Sequence, residues 1–396
     1  MAIIVFLFCL IITIIFPVLA IPLNIFGMVI SRGALKKHYG FLLAFSLAVV
    51  AYLWVPNSKM DLYRFHHQMS ALVGFDFEQL GVFLKTNLEP AHYLIEFAVA
   101  QTGNFSLLQF IVVLCGYFEL FWIISDYSET KKVRRSIFVL LFLYTVFSLR
   151  FIDFASGLWF NLAIINIAMG VYISYFGRKK HLQYLFYIIA ICLHIGVFYM
   201  LVVMLLINKL RLFKRVGFLP ILLTFLVAIL FGVAVSATNI FLGPDSAFME
   251  IVNKMYNEYF VNQITYSSLE YYLRIFTVVL GLIMAIWYSK YGHLKEYGSL
   301  LAYFSVYILS TILNAGIFSR YSFLIAILSM PFVEFYFRNV KNKHMRLALL
   351  IIILSLSACR IMSACEQFES SGITRQVEDN ITNSFLNIIN NEEAKL

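Results

Sequence analysis

Long stretches without a single charged residue decide what this chain can fold into. Residues 2–30 contain no Asp, Glu, Lys or Arg, and comparable apolar runs recur along most of the 396 residues. Only 13% of the residues are charged, and the mean hydropathy is +0.85. Apolar runs of about 18 residues or more are typical of membrane-spanning helices. The sequence therefore predicts an all-α polytopic membrane protein.

The positive charge lies in short clusters between the apolar runs. The formal net charge is +9, and basic residues gather near 32–37, 131–135 and 178–180. Such clusters mark the cytoplasmic loops of polytopic membrane proteins, which argues against a nucleic-acid partner. The chain starts apolar, so we expect an uncleaved first helix with its N-terminus outside. The five cysteines share no spacing and are interpreted as packing residues.

Counting apolar runs between basic loops predicts about ten transmembrane helices. They form one transmembrane domain over residues 1–364, and the first helix is predicted to bend at Pro17 or Pro22. The polar C-terminal tail, 365–396, is predicted to lie outside. No repeat or second domain is evident.

Two loops are predicted to be external, 57–105 and 238–268. In the first, the segment 89–100 is apolar but too short to span, so it predicts a re-entrant or interfacial helix. In the second, apolar residues at helical spacing predict a helix that lies flat on the outer leaflet.

The apolar run 182–207 has basic clusters at both ends, 178–180 and 209–215. A single crossing would place the second cluster, and the later basic loops, outside. A re-entrant helical hairpin avoids that violation of the positive-inside rule. His194 would lie at its tip, since it falls near the middle of the run.

Four arginines from separate parts of the chain fall near the predicted outer boundary, Arg64, Arg150, Arg274 and Arg320. Arginine suits phosphate because its planar guanidinium donates bidentate, charge-assisted hydrogen bonds. A pyrophosphate at the outer leaflet would account for several of them at once. The alternative is pairing with carboxylates three or four residues away, for which Asp61, Asp153 and Glu270 are available.

Asp61 and Glu89 are the carboxylates best placed to act as a general base on a sugar hydroxyl. Half-burial at the membrane edge would raise the pKa of such a carboxyl, which suits proton abstraction. The alternative is a structural ion pair or a helix cap. His194 is a candidate second catalytic group, or else a hydrogen-bonded core histidine.

Aromatic residues beside these groups, Tyr63, Tyr93 and Tyr321, could stack on sugar rings, although interface aromatic belts explain many such residues. The adjacent His66 and His67 cannot share one helical face, so no metal site is expected. The sequence contains no Gly-rich phosphate loop and no serine-nucleophile motif.

The order of these features resembles that of a known family, the Wzy-type polymerases of O-antigen and capsule repeat units, most closely the EpsG-like branch. The features are Asp61-Leu-Tyr-Arg64, Glu89-Pro-Ala-His-Tyr93, Arg150, the basic turn 178–180, Cys192-Leu-His194 and Ser319-Arg320-Tyr321. The resemblance covers roughly residues 1–340 and is one of order and topology.

The resemblance implies a glycosyltransferase of the bacterial inner membrane with a GT-C-like helical fold and a site facing the periplasm. Such enzymes transfer a growing glycan from undecaprenyl pyrophosphate to a new lipid-linked repeat unit. It implies a base at Asp61 or Glu89, support from His194, and the four arginines on the pyrophosphate. Neither a metal nor another cofactor is expected. Expected partners are lipid-linked glycans, membrane lipids, a chain-length regulator and a flippase.

Two other functions stay open. A GT-C transferase that adds a single sugar from a polyprenyl-phosphate donor would also place an acidic residue in its first external loop. A flippase for lipid-linked oligosaccharides would carry charges along a central path and show inverted halves, whereas the charges here gather at one face.

Overall fold

The chain folds into helices. The computed structural model describes residues 2–58, 60–87, 89–210, 214–218, 220–224, 226, 269–312 and 315–390, and its regular elements there include no strand. The helices before residue 210 are α1 (Ala2–Ile15), α2 (Ala20–Ile30), α3 (Ala34–Leu53), α4 (Asp61–Leu72), α5 (Phe77–Thr86), α6 (Pro90–Ala100), α7 (Ser106–Thr130), α8 (Arg135–Val146), α9 (Phe151–Ser156), α10 (Leu158–Phe176), α11 (Gln183–Leu193) and α12 (Val197–Lys209). Those that follow are α13 (Leu269–Tyr291), α14 (Lys295–Ser310), α15 (Ala315–Leu328), α16 (Met330–Asn339), α17 (Lys343–Ser371), α18 (Ile373–Asp379) and α19 (Phe385–Asn390). The predicted external loop 238–268 and its flat helix lie outside the described residues.

Several helices are suited to cross a membrane. Five in the described part of the chain are long and apolar enough, α3, α7, α10, α13 and α17, and the bent pair α15–α16 would make a sixth. Helices such as α1 are apolar but short; its 14 residues reach only about 21 Å at 1.5 Å per residue, against ~30 Å of hydrocarbon. These findings support a helical protein with several membrane-spanning segments, and the count of about ten stays a prediction.

Internal contacts divide the chain into two compact units. Unit 1 comprises residues 1–197 and 357–396, and unit 2 comprises residues 198–356. The C-terminal tail therefore belongs with the first half of the chain. The predicted single domain over 1–364 stays a prediction.

Three long helices form the centre of unit 1, with α7 packed against both α3 and α10. Close approach depends on glycines that receive aromatic rings. A Cβ atom added at Gly116 of α7 would overlap the ring of Phe154, and one at Gly170 of α10 would overlap that of Tyr187. In an interior packed like an organic crystal, such ring-into-glycine contacts fix the spacing of neighbouring helices.

One end of unit 1, here called the basic end, collects the basic clusters of three loops. Lys36 of α3 pairs with Glu129 of α7 at 3.1 Å, and the ammonium group of Lys131 lies over the ring of Phe176. The guanidinium of Arg135 donates to the carbonyl of Ile30. The opposite ends of α3, α7 and α10 adjoin α4, α5 and α6, and this is called the α4–α6 end.

The C-terminal residues pack on α3, on α7 and on the residues just after α3. Gln376 of α18 accepts a hydrogen bond from the backbone N–H of Val55 at 3.1 Å. The ring of Phe385 in α19 lies against those of Phe45 and Phe110. Ile373 and Ile388 are buried. The predicted polar tail is thus folded onto α3 and α7 as far as residue 390.

Two apolar runs are interrupted where the sequence predicts a break. The first divides into α1 and α2 around Pro17, which confirms the predicted bend, and Asn24 of α2 donates to Thr13 of α1 at 3.0 Å. The second ends as α11 at Leu193 and resumes as α12 at Val197, with His194 in the break. The fold-back that would make this run a hairpin stays a prediction.

Unit 2 contains a kinked pair of helices. α15 and α16 meet at 41° where Pro331, which has no N–H, follows Ser329. Phe332 bonds to the carbonyl of Ser329 rather than to that of Leu328. The hydroxyl of Tyr297 in α14 donates to the Leu328 carbonyl, so the kink leaves that carbonyl satisfied.

We expect Gly116→Ala to destabilise the protein. The added methyl group would overlap the ring of Phe154, and overpacking of this kind costs about 1–3 kcal/mol. Thermal unfolding in detergent should give a lower midpoint. The matched control is Gly81→Ala, a helical position with nothing within 4 Å of the added carbon, which should keep or raise the midpoint. Equal effects of the two substitutions would contradict this account of the packing.

Candidate functional site

The segment between α3 and α7 folds into three short helices at one end of unit 1. α5 begins with a capping box, in which Asp76 accepts from the backbone N–H of Gln79 at 2.8 Å and Gln79 returns the bond. α6 begins at Pro90, whose fixed φ and missing N–H suit the first helical position. With 11 residues, α6 is the short helix that the sequence predicts here.

A chain of charged groups lies along one face of α6. His92 places Nδ1 at 3.3 Å from Oε2 of Glu89 and Nε2 at 2.8 Å from Oε1 of Glu96. The indole N–H of Trp159, in the first turn of α10, donates to the same oxygen of Glu96 at 3.1 Å. His92 is 5% exposed and Glu96 is fully buried. This Glu89–His92–Glu96 group is called the acidic triad below.

The geometry favours a charged His92. An ionised carboxylate only accepts hydrogen bonds, so an imidazole that bonds to two ionised carboxylates donates from both ring nitrogens and is a cation. Burial alone would lower the pKa of His92, but the hydrogen bonds to Glu89 and Glu96 and their negative charges outweigh it and raise the pKa. The ring stacks on Tyr93 and on Trp159, with centroids 4.4 and 4.5 Å apart.

Glu89 joins α6 to the broken apolar run. Its Oε1 accepts from the backbone N–H of Ile195 at 3.0 Å and lies 3.5 Å from Nδ1 of His194. The backbone N–H of Gly196 donates to that nitrogen at 3.0 Å. The structure thus brings together two predicted site residues that are more than a hundred positions apart in the chain.

The pKa of Glu89 shifts against the expectation from sequence. Burial raises it, as expected. The hydrogen bond from His92, the positive charges of His194 and His92, and the bond from the Ile195 N–H together lower it by more than burial raises it, so that the pKa is about 2. The prediction of a raised pKa at this carboxyl is therefore wrong, because its burial comes with a cationic partner and a backbone donor. Glu89 stays ionised and is a weak base.

The described contacts of Asp61 and Arg64 do not include a residue of the acidic triad. Asp61 is the first residue of α4 and pairs with Arg64 at 3.4 Å, and their side chains are 44% and 59% exposed. The N-cap of α4 is Met60, and no side-chain capping bond forms there, so the ion-pair alternative is confirmed and the cap is not. The buried face of α4 reaches the triad through Phe65, whose ring lies edge-on to His92.

Arg150 and Arg274 also have the carboxylate partners that their spacing predicts. Arg150 pairs with Asp153 at 2.6 Å and donates to Ser363 of α17. In unit 2, Arg274 of α13 donates from Nε to Glu270 at 2.9 Å and from a terminal nitrogen to the carbonyl of Ser319 in α15. Each arginine thus joins two segments of its own unit.

The other predicted residues differ in exposure. Tyr63 is 46% exposed on α4, whereas Tyr93 lies between the rings of His92 and Phe83. In unit 2, Arg320 is half-buried on α15, and Tyr321 is buried against Tyr307. Tyr63 therefore keeps the most open ring of the three predicted tyrosines.

Nε2 of His66 lies 2.9 Å from Oε1 of Gln109, and Gln109 donates to the carbonyl of Trp54. Burial lowers the pKa of His66, although the bond to Gln109 opposes it, so this ring stays neutral near neutral pH. Within the described residues, no group of three or more His, Cys, Asp or Glu is arranged to hold a metal ion.

Sequence reasoning gave no role to three groups that the structure places in networks, His92, Glu96 and Arg360. The first two had a visible signal, since 89, 92 and 96 share one helical face. Arg360 lies in the apolar part of α17, is 3% exposed, and donates to Ser148 of unit 1. Its partner is more than two hundred residues away, so no local pattern could find it.

Comparison of the chain with protein-family models, with curated proteins and with solved structures finds no match in any of the three. The acidic triad and the break at His194 are therefore interpreted from their own geometry. The GT-C-like fold stays a prediction.

We expect the stability of the protein to depend on Glu89 at acid pH. Its folded pKa, about 2, lies below the ordinary value near 4.5, so its contribution is present above pH 4.5 and is lost as the pH falls towards 2. The difference corresponds to a stabilisation on the order of 3 kcal/mol.

Thermal unfolding of the wild type and of Glu89→Gln between pH 3 and 7 tests this. The two midpoints should differ most at pH 6–7 and converge towards pH 3. The control is Glu78→Gln, an exposed carboxylate on α5, which should follow the wild type throughout. Parallel curves for wild type and Glu89→Gln would show that the ionised Glu89 does not stabilise the fold.

Proposed function

We propose that this protein is a metal-independent glycosyltransferase of the bacterial inner membrane. It would polymerise undecaprenyl-pyrophosphate-linked repeat units into an O-antigen or capsular polysaccharide. The observation that carries the proposal is the polar α4–α6 end of unit 1. There an apolar bundle keeps ionised and aromatic groups, and it brings Glu89 and His194 together at a helix break. The resemblance of the residue order to that of the Wzy-type polymerases supports the same function.

The distribution of charge supports a site on the periplasmic side. Lys36, Lys131 and Arg135 gather at the basic end of unit 1, and basic loops of polytopic proteins stay in the cytoplasm. The acidic triad adjoins the opposite ends of the same helices. Lipid-linked repeat units on the outer leaflet would meet the protein at that end.

Asp61 is the better candidate for the general base. Both oxygens of Glu89 are engaged, by Ile195 and by His92, and its low pKa makes it a poor proton acceptor. Asp61 faces solvent beside a single arginine at 3.4 Å, so an acceptor hydroxyl can reach it. Glu89 and His194 would then shape and support the site.

In the proposed step, Asp61 takes the proton of the acceptor sugar hydroxyl as its oxygen attacks the anomeric carbon of the donor glycan. The bond from that carbon to the pyrophosphate oxygen breaks, and undecaprenyl pyrophosphate leaves with the electron pair. The resemblance implies that Arg64, Arg150, Arg274 and Arg320 stabilise the leaving charge. A guanidinium can exchange a carboxylate for a phosphate, because both accept its bidentate donors.

Deletion of the gene in the source bacterium tests the function. The surface polysaccharide should lose its ladder of chain lengths on a gel, while single repeat units still reach the surface. Accumulation of single units on the cytoplasmic face would indicate a flippase instead. A ladder that is intact except for one missing sugar per unit would indicate a single-sugar transferase.

Complementation with arginine variants tests the proposed pyrophosphate contacts. Arg320→Ala and Arg274→Lys should each reduce polymer by about 100-fold or more, the usual effect of losing a donor to a leaving oxyanion. The lysine in Arg274→Lys keeps a charge beside the buried Glu270, so protein abundance should stay near normal. Arg178→Ala, an exposed position at the basic end, is the control. Full polymer length with either variant would remove that residue from the proposed site.

A matched pair of carboxylate variants tests the base. Asp61→Asn keeps the size of the side chain and should lower the polymerisation rate by about 10²- to 10⁴-fold, the range for loss of a general base. Asp76→Asn alters an exposed aspartate nearby, where asparagine also caps the helix well, and should leave the rate unchanged. Polymer at the wild-type rate with Asp61→Asn would show that another group takes the proton.

A further inference from the structure

The acidic triad carries a large desolvation cost, because it buries ionisable groups. Glu96 is fully buried, and its second oxygen, Oε2, has no hydrogen-bond partner within the described residues. Burying charged groups carries a desolvation cost that their mutual attraction often fails to offset, and apolar residues of similar volume frequently give equal or greater stability. Fold stability alone is therefore a poor explanation for Glu96.

The chain of contacts suggests a different purpose for the triad. Trp159 of α10 holds Glu96, Glu96 holds one nitrogen of His92, and the other nitrogen of His92 holds Glu89. The last link is the bond from the N–H of Ile195 to Glu89. That N–H lies between α11 and α12, where no helical carbonyl is in position to accept it.

We propose that His92 and Glu96 are positioning residues that hold the carboxylate of Glu89 against the backbone of Ile195 and thereby fix the helix break at His194. In this arrangement Glu96 keeps a proton on Nε2 of His92 and favours the cation, in which Nδ1 presents a charged N–H to Glu89. When His92 loses its charge, the remaining proton stays on Nε2 towards Glu96, and the lone pair of Nδ1 then faces and repels Glu89. The inference rests on the proposed function only in assigning the break at His194 to the active site.

The arrangement predicts that the helix break at His194 becomes less ordered at alkaline pH. The ionisable groups that face His92 are Glu89, Glu96 and Tyr93 from its own segment, and α10 and α4 contribute the neutral rings of Trp159 and Phe65. His194 acts on it through Glu89. The hydrogen bonds that hold Glu89 between His92 and the N–H of Ile195 are called the clamp. Since the folded pKa of His92 is raised above 6.5, the clamp is complete below pH 6.5 and opens as the pH rises through the folded value.

Amide hydrogen exchange of the full-length protein in nanodiscs tests the clamp directly at Ile195. In the wild type the protection factor of this amide, corrected for the intrinsic rate, should fall at alkaline pH. In Glu96→Gln the fall should begin at lower pH, closer to 6.5. In His92→Gln protection should be about tenfold lower at neutral pH, as for loss of one charge-assisted hydrogen bond. The matched controls make the same changes at exposed positions on neighbouring helices, Glu78→Gln and His67→Gln, and should follow the wild type.

Each outcome decides for or against the proposal. Unchanged protection of Ile195 in both triad variants would overturn it. If a variant loses protection throughout α10, it has lost its fold, and the wild-type pH series decides instead: a protection factor that is constant with pH overturns the proposal. Nitrogen NMR of selectively labelled histidine provides a second measurement, because His92 should remain an imidazolium to higher pH in the wild type than in Glu96→Gln.

These measurements do not depend on polymer synthesis. A protected, pH-sensitive Ile195 in a protein whose deletion leaves the polysaccharide ladder intact would refute the proposed function and keep the clamp. In an active preparation, Glu96→Gln should shift the alkaline limb of the pH–rate profile to lower pH. A purely structural residue would lower the rate equally at every pH.

Discussion

Backbone groups inside a bilayer have no water to bond to, and much of this structure follows from that constraint. An unsatisfied N–H or C=O in hydrocarbon costs several kcal/mol, so each interruption of a helix needs a side chain to complete it. The carbonyl released at the α15–α16 kink accepts from Tyr297, and the amide released after α11 donates to Glu89. Asn24 bonds Thr13 across the break near Pro17. Polar side chains thus occur where the backbone ladder stops.

The same constraint shapes the electrostatics. A charged side chain beside the hydrocarbon needs a counter-charge, and Lys36, Arg150 and Arg274 each have a carboxylate within 3.1 Å. The acidic triad differs because one cation serves two carboxylates. The surplus negative charge is stabilised by neutral donors, the indole of Trp159 and the amide of Ile195. Fixed dipoles of this kind can hold charge in a region from which water is excluded.

Local patterns in the sequence anticipated local structure well. The three arginine–carboxylate pairs at spacings of three and four residues, the short helix after Glu89, the bend near Pro17 and the break at His194 follow from periodicity, proline chemistry and the placement of basic clusters. Partners distant in the chain could not be anticipated. Trp159 meets Glu96 across 63 positions, and no rule of spacing predicts it.

The pKa of Glu89 shows most clearly what could not be predicted from the sequence. Burial could be inferred from the apolar surroundings, but the direction of the shift depends on which nitrogen and which amide approach the carboxylate. The number of spans stays a prediction for a related reason. Hydropathy marks an apolar run, whereas proline and polar side chains decide whether that run becomes one long helix or two short ones.

The division of unit 1 between the two ends of the chain has a consequence for how the protein is made. Residues 357–396 belong to unit 1, yet they leave the ribosome after all of unit 2. Until they arrive, Ser148 lacks the guanidinium of Arg360, and the rings of Phe45 and Phe110 lack that of Phe385. The helices of unit 1 that are synthesised first therefore lack these contacts until residues 357–396 have been made. A nascent chain that terminates early would expose this uncovered face to the cell's membrane quality control.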